Sequence, residues 1–390
     1  MNIAIFSTVS WDFLWQRQHH VASELAKKGH RVVYFEDPVY VSPSIFLKRI
    51  IAGNKLFEVK KITDNISVVV LYLPEFRGRL SGYKNSFLRS NFKACMKKLS
   101  FVPDVSIFYS LDFVALIKTL ETMRSKIAYD CVDDALSFVS SEIKRHLRPE
   151  SAYSQYLNAE VLLIKSSSVC FATANLLYEK ILKHNPKCVY LPNAMDFDHF
   201  NSAAKGIVTL DELSTLRHPV IGFIGALYNW IDVDLICRIA EVHPEYSVLL
   251  VGPVAAESNQ LEKYSNIVTV GAKPYGILPS YLSNIDVCII PFKLNDITLA
   301  SNPIKMYEYL AAGKPVVSTA LPEVVKVASD LVYVGKDEVD FIKKIEMATL
   351  ELEHNNGSSV TARMNFARKN SWESRVEVME KFLNELVTNK

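Results

Sequence analysis

Short apolar runs alternate along the chain with longer stretches in which apolar residues recur every three or four positions. Asn2–Phe6, Arg31–Phe35, Ser67–Leu71, Val105–Tyr109, Ile127–Asp130 and Val169–Ala172 are of the first kind and predict buried strands. Gln18–Lys28, with Val21, Ala22 and Leu25 on one face and Gly29 as its stop, predicts a helix between the first two strands, and Leu176–Lys183 predicts another. Strand, helix, strand at this spacing is a βαβ unit and implies a parallel sheet. The pattern resets near Leu191–Asp196, and residues 201–218 are polar and of mixed type. A second series then opens at Val220–Gly225 and continues through Ser247–Val251, Ile267–Val270, Val287–Pro291 and Pro315–Ser318. The reading is an α/β protein of two doubly wound halves with a cleft between them, in which ligands sit at the carboxyl ends of strands. From Ser371 a capping box with Ser374 in place of the usual Glu starts an amphipathic helix that runs through Leu386.

Thr298–Val317 carries the densest chemistry. Asn302 and Pro303 sit where a helix would begin, Ile304–Ala312 can be helical, Gly313 stops it, and Lys314–Val317 starts a strand. Lys305 and Glu308 are three apart and so share a helix face. A free helix N-terminus with a cation suits a diphosphate, and a carboxylate beside them can accept from ribose hydroxyls. The plainer reading of the same spacing is a solvated ion pair.

This block resembles the donor-site signature of GT-B glycosyltransferases of the family 4 type. The similarity is greatest to the bacterial subgroup that carries Asn-Pro-x-Lys-x-Tyr-Glu-Tyr-Leu-Ala-Ala-Gly-Lys-Pro-Val-Val, where the teichuronic-acid and exopolysaccharide glycosyltransferases fall; the xanthan glucuronosyltransferase is more distant. Two glutamates separated by seven residues are commoner in that family; here Ala300 stands at the first position and Glu308 at the second. The family also usually carries an Arg and a Lys after the first donor-domain strand, where this chain has Gly225–Trp230, which leaves Lys305 to neutralise the diphosphate. Pro192-Asn193-Ala194-Met195-Asp196 looks like the interdomain Pro-Asn-Gly-x-Asp of GT-B enzymes. The resemblance implies two Rossmann-like domains facing across a cleft. An acceptor domain would span 1–195, a nucleotide-sugar domain 196–370, and a last helix, 371–390, would cross back to the first domain. It also implies a donor, most readily a UDP-sugar, held by Gly225, Asn229, Lys273, Tyr275, Asn302, Pro303, Lys305, Met306 and Glu308. Tyr275 is then a candidate beside the nucleobase, or else an aromatic that caps the next helix. Gly225 and Gly252 end strands with residues that let a ligand approach the backbone closely.

In the first half, Trp11–His20 follows the first strand with an unusual density of aromatic and polar groups. It resembles the subgroup's Trp-x-x-x-x-Gln-Arg-x-His-His segment. Indoles offer stacking surfaces for sugar rings and Arg a fork for an anionic acceptor, so Trp11, Trp15, Arg17, His19 and His20 are acceptor-binding candidates. The bland reading has the two indoles pinning the loop to the core. Asp130, Asp133 and Asp134 cluster after a strand, and an inverting enzyme needs a base for the acceptor hydroxyl. Asp133 or Asp130 is the candidate, with helix capping by Asp133 or Asp134 as the structural reading. If configuration is retained, these residues would bind the acceptor instead. Residues 76–103 hold seven Lys and Arg and no acid, with Leu88, Phe92, Cys95, Met96 and Leu99 at helical spacing. That reads either as a membrane-surface helix, fitting a lipid-linked acceptor on an anionic membrane, or as an ordinary helix covering the sheet.

Composition narrows the field. At 390 residues, two domains are the better prior, and a net charge of +2 gives no support to nucleic-acid binding. The six cysteines are scattered without C-x-x-C pairs, which reads as buried thiols in a reducing compartment. The start runs directly into a strand without a signal peptide, and no apolar run reaches spanning length, so a cytoplasmic protein, working at the inner face of the membrane, is expected. No G-x-G-x-x-G or P-loop occurs. Asp196-Phe197-Asp198 and Asp232-Val233-Asp234 match D-x-D, but about one chance match is expected in such a chain. Both are read as structural, and no metal or other cofactor is expected. The expected function is transfer of a sugar to a hydroxyl of a glycan or lipid-linked glycan for cell-surface polysaccharide. The alternatives are a sugar-nucleotide epimerase of the same fold and a non-catalytic sugar-binding protein.

Overall fold

The structure, a computed structural model, describes residues 1–51, 56–75, 83–206, 208, 210–254, 256–354 and 357–388. The chain divides into two compact units, Met1–Leu191 with Val376–Lys390, and Pro192–Arg375.

The first unit is built on nine strands: β1 Asn2–Phe6, β2 Arg31–Phe35, β3 Val39–Val41, β4 Phe57–Lys61, β5 Ile66–Pro74, β6 Val105–Phe108, β7 Lys126–Cys131, β8 Val169–Ala172 and β9 Cys188–Tyr190. Their order is β3-β5-β2-β1-β6-β7-β8-β9, all parallel, with β4 antiparallel to β5. The strands next to the centre are near-continuous runs of buried residues, as a sheet covered on both faces requires. The chain reverses direction across the sheet between β1 and β6, so a crevice forms at their carboxyl ends.

The second unit has six parallel strands: β10 Val220–Ile224, β11 Ser247–Val251, β12 Ile267–Thr269, β13 Val287–Ile290, β14 Val316–Thr319 and β15 Tyr333–Gly335. Their order, β12-β11-β10-β13-β14-β15, is the Rossmann order with its switch point between β10 and β13.

The second unit begins at Pro192, not Asp196, because Asn193 and Met195 are already bound within it. The Asn193 N–H donates to Asn302 Oδ1 at 3.0 Å, and Met195 forms a parallel bridge with Ser371. The last helix, Trp372–Thr388, is capped by Ser371, whose Oγ accepts from the Ser374 N–H at 3.2 Å. From Val376 onward it counts with the first unit, where Val376, Met379 and Leu383 enter the core with Ile3, Ile5, Val21 and Leu25. His30 Nε2 lies 2.7 Å from Glu380 Oε1 and fixes its register.

The basic helix is Lys84–Leu99, and its apolar stripe is core. Leu88, Phe92, Cys95 and Met96 are at most 3% exposed, so that stripe is not available to a membrane. The reason is local: the helix returns directly from β5 and must cover it. Arg77 and Arg79 lie outside the described residues. Among the described residues no helix is long and apolar enough to cross a membrane.

Leu383→Ala empties a fully buried site in the first unit and is expected to lower its stability by about 2–5 kcal/mol. Denaturant unfolding followed by a probe in the first unit checks this; an unchanged midpoint would mean that the last helix does not pack there.

Candidate functional site

The helix Ile304–Ala311 is held against the end of β10 by Tyr309, whose hydroxyl accepts from the Ile224 N–H at 2.8 Å. Met306, Tyr307, Leu310 and Ala311 are buried, so the helix cannot turn about its axis. Pro303 is its N-cap and supplies no side-chain capping hydrogen bond. One turn before Tyr309, Lys305 lies over Gly225: a Cβ on Gly225 would stand 3.4 Å from Lys305 Cε. Gly252, at φ +151°, sits so close that a Cβ there would be 2.0 Å from the Gly225 carbonyl oxygen. Only glycine tolerates that approach, and the two strand-end loops therefore pack backbone against backbone beside Lys305.

Lys305 Nζ donates to Glu308 Oε2 at 3.0 Å. The pair is not the solvated one that spacing alone allows, since the Glu308 side chain is 6% exposed and that of Lys305 26%. Tyr275 stacks on His199, ring centroids 4.5 Å apart, and His199 Nε2 lies 3.0 Å from the Tyr275 carbonyl. Burial, then the charges of Glu308 and Asp196, raise the Tyr275 phenol well above its ordinary range. Gly225, Tyr275, Lys305 and Glu308 thus come together at the switch point of the second sheet.

Other residues of the expected donor set are placed differently. Asn302 is 4% exposed, and its side chain is spent on the Asn193 N–H, with its Nδ2 3.4 Å from Glu323 Oε2. Asn193 Nδ2 in turn donates to the Asn302 carbonyl at 2.7 Å. Asn302 therefore shapes the turn before the helix and offers no side-chain contact to a donor. The Met306 side chain is fully buried in the core, which leaves only its backbone near the helix start. Lys273 is taken up by Glu212, at 2.9 Å from both carboxylate oxygens. Asn229 is exposed in the turn after β10, and Pro303 is buried at the cap.

In the first unit, Arg17 and Asp130 are corrected as an acceptor fork and a base. Arg17 Nε donates to Asp130 Oδ2 at 2.8 Å, with side chains 1% and 0% exposed. The pair lies beneath the surface because Asp130 is within β7 and Arg17 opens the helix Arg17–Lys27. His19 is also structural. Its Nδ1 accepts from the Gln16 N–H at 3.1 Å, so Nε2 carries the proton toward Ser10 O at 3.1 Å, and burial holds its pKa below the usual histidine value. Trp11 is 7% exposed and packs edge-on against Tyr34, which bears out the pinning reading for that indole. Trp15 remains 38% exposed and packs edge-on on the buried His20, so of the two indoles it is the one that presents a ring to solvent.

Asp133 lies just past β7, reached by solvent on one side and crowded by protein on the others. Desolvation, then the charge of Asp134, push its carboxyl up to about 6. Asp134 is the N-cap residue of Ala135–Lys144 and pairs with Lys180 at 2.8 Å, which also reaches Glu160 at 2.7 Å. The three aspartates therefore separate into a buried pair, a helix terminus, and one poised group. A second poised carboxylate, Asp37, was not singled out from sequence. It follows β2, accepts from Ser110 Oγ at 3.1 Å, and is pushed up to about 6 by burial and then by Asp112. Its signal was an acid directly after a buried strand. Asp112 also lines a cavity of about 470 Å³ with Lys84, Arg89, Lys118 and Tyr156. Asp196 and Asp232 cap helices through the His199 and Leu235 amides, at 3.1 and 3.0 Å, as the structural reading of both D-x-D matches requires.

Residues 218–349 match the family model described as Glycosyl transferases group 1. The chain is 25% identical over 388 residues to a Bacillus subtilis protein provisionally named teichuronic acid biosynthesis glycosyltransferase TuaH, covering 94% of this chain and 93% of that one. Sucrose-phosphate synthase from Thermosynechococcus elongatus superposes with a TM-score of 0.68 at 14% identity, over all of both chains. Anabaena HepE, solved in complex with UDP and glucose, superposes with a TM-score of 0.65 at 13% identity, over 98% of this chain and 99% of that one. The second unit is a group 1 glycosyltransferase domain, and the fold is that of GT-B glycosyltransferases. The protein is a glycosyltransferase.

Arg17→Met leaves the Asp130 carboxylate buried without its partner and is expected to cost about 3–5 kcal/mol of stability, most of it recovered in Arg17→Met/Asp130→Leu. Chemical denaturation of the single and double variants checks this. An Arg17→Met protein of unchanged stability that bound acceptor poorly would return Arg17 to the acceptor site.

Proposed function

We propose that the enzyme moves a sugar from a UDP-sugar to a hydroxyl of a glycan or lipid-linked glycan in the synthesis of a cell-surface polysaccharide. The observation that carries this is the uncapped helix start at Pro303, with Lys305 over Gly225 and the shielded Glu308 one turn on. A diphosphate on the Gly225–Gly252 surface would meet the helix amides and draw Lys305 from Glu308. The freed carboxylate would then accept from the ribose hydroxyls. Charge developing on the departing UDP is met by donors already in place, which is how such a site lowers a barrier. The helix end and Lys305 supply that stabilisation without a metal ion. HepE, solved in complex with UDP and glucose, and TuaH, named for teichuronic acid biosynthesis, support the donor and the polysaccharide product respectively.

On the acceptor side we assign Asp133 as the base and Trp15 as a stacking platform for the sugar. A base must be ionised to take the hydroxyl proton, and a carboxyl lifted to about 6 is a stronger base than an ordinary one while still largely ionised at neutral pH. A lipid-linked acceptor would bring the enzyme to the inner face of the membrane.

Calorimetric titration with UDP, GDP and ADP, with and without EDTA, tests the donor site. Tight UDP binding that survives EDTA is expected. Lys305→Ala should weaken it about 10- to 100-fold, in line with losing a hydrogen bond to a charged group. Glu308→Ala should weaken it less, and unchanged affinity in both would remove this helix from the donor site. With saturating donor, kcat/KM should fall about tenfold per pH unit below about 6, and Asp133→Asn should abolish most transfer while sparing UDP affinity. Full activity in Asp133→Asn, or the same acid limb lost only in Asp37→Asn, would move the base to Asp37.

A further inference from the structure

The helix Pro43–Ile51 buries a single residue, Phe46, which meets Phe87 edge-on at 5.3 Å between ring centroids. Arg49, three positions on, shares that inner face: its guanidinium lies 3.6 Å from the centre of the Tyr72 ring and 3.0 Å from Glu58. These contacts are enough to seat the helix on β5 and the start of Lys84–Leu99. The rest of a surface helix is ordinarily polar. Here Ile45, Leu47, Ile50 and Ile51 are 50%, 55%, 46% and 77% exposed, with Lys48 the only charge among them. Val39 and Tyr40 extend the patch, and Tyr40 lies under Lys84 at 4.2 Å. Tyr83, 57% exposed, adjoins Lys84. Residues 38–51 contain no acid. Glu58 is paired with Arg49, and Glu75, whose N–H donates to the Val41 carbonyl, flanks the other edge.

We infer that this face is a docking surface for an anionic lipid membrane. Aliphatic tips on a short helix, bordered by tyrosines, by the exposed Lys48 and by Lys84, which lies 3.9 Å from Asp112, suit the boundary between acyl chains and headgroups. Lys48, on the exposed face, matches anionic headgroups, and a face with protruding tips suits a fluid layer rather than a shaped protein groove. The inference gives a place to the lipid-linked acceptor reading above and rests on it only for its purpose. It replaces the stripe of Lys84–Leu99, which is core, with a face that is open.

The test is co-sedimentation of the full chain with vesicles of phosphatidylcholine alone and of phosphatidylcholine with phosphatidylglycerol. Binding to the anionic vesicles, weakened by salt, is expected. Leu47→Glu and Ile51→Glu, surface changes whose folding is confirmed by circular dichroism, should each lower the bound fraction about tenfold, and Lys48→Glu should do so at low salt. UDP titration of the same variants should be unchanged. Wild-type protein that stays in the supernatant, or vesicle binding indifferent to all three substitutions, overturns the inference. So does a concentration-dependent dimer, seen by sedimentation equilibrium, that the same variants dissolve, since the occupant would then be a second copy. Vesicle binding without any nucleotide binding would leave the docking surface standing and remove the glycosyl-transfer reading instead.

Discussion

A single hydrogen bond, from the Ile224 amide to the Tyr309 hydroxyl, sets the helix Ile304–Ala311 against the end of the first strand of the second unit. A parallel strand ends with peptide groups that have no further partner in the ladder, and a buried one must be satisfied locally. Tyr309 satisfies the amide at the end of β10 with the side chain of the helix that follows β13, so strand end and helix are set relative to each other. The helix start, Lys305 and Glu308 then follow at fixed places. Gly252 and Gly225 complete the arrangement by removing the two Cβ atoms that would fill the space in front. A Cβ at Gly252 would displace the Gly225 backbone, and one at Gly225 would press on the Phe223 ring and Lys305.

The fold was legible because its signal is the simplest the chain can carry. Doubly covered parallel strands must be apolar throughout, and runs such as Ile3–Phe6, Val32–Phe35 and Val248–Val251 have no other reading at that length. What escaped was short or mixed. β4, Phe57–Lys61, carries Glu58, Lys60 and Lys61 and is held by antiparallel pairing with β5, while β3 is a three-residue edge strand between prolines. Their existence depends on a partner distant in sequence, and local pattern does not report a partner.

The site was legible in part for the same reason. Lys305 and Glu308 sit on one helix, so their spacing fixed their neighbourhood. Arg17 and Asp130 sit 113 positions apart, and nothing in either segment tells that each neutralises the other below the surface. Residue type suggested a fork and a base; burial converts both into a tie between a helix start and β7. Asn302 shows the converse. Its place before a helix was read rightly, but the amide that it satisfies belongs to Asn193, so its side chain is structural. In each case the chemistry of the group was clear and its partner was not.

The aspartates after β7 show how a strand end sorts identical groups. Asp130 points into the sheet and meets Arg17; Asp134 stands at a helix terminus and meets Lys180; Asp133, between them, meets neither. Desolvation and the neighbouring Asp134 charge act on Asp133 in one direction, and both favour its neutral form. Had Asp133 carried a cation partner, its carboxyl would be a weak base at any working pH. The pairing of its neighbours is therefore part of its electrostatics: Lys180 and Arg17 are engaged with Asp134 and Asp130, and the carboxyl left without either is the one whose pKa rises.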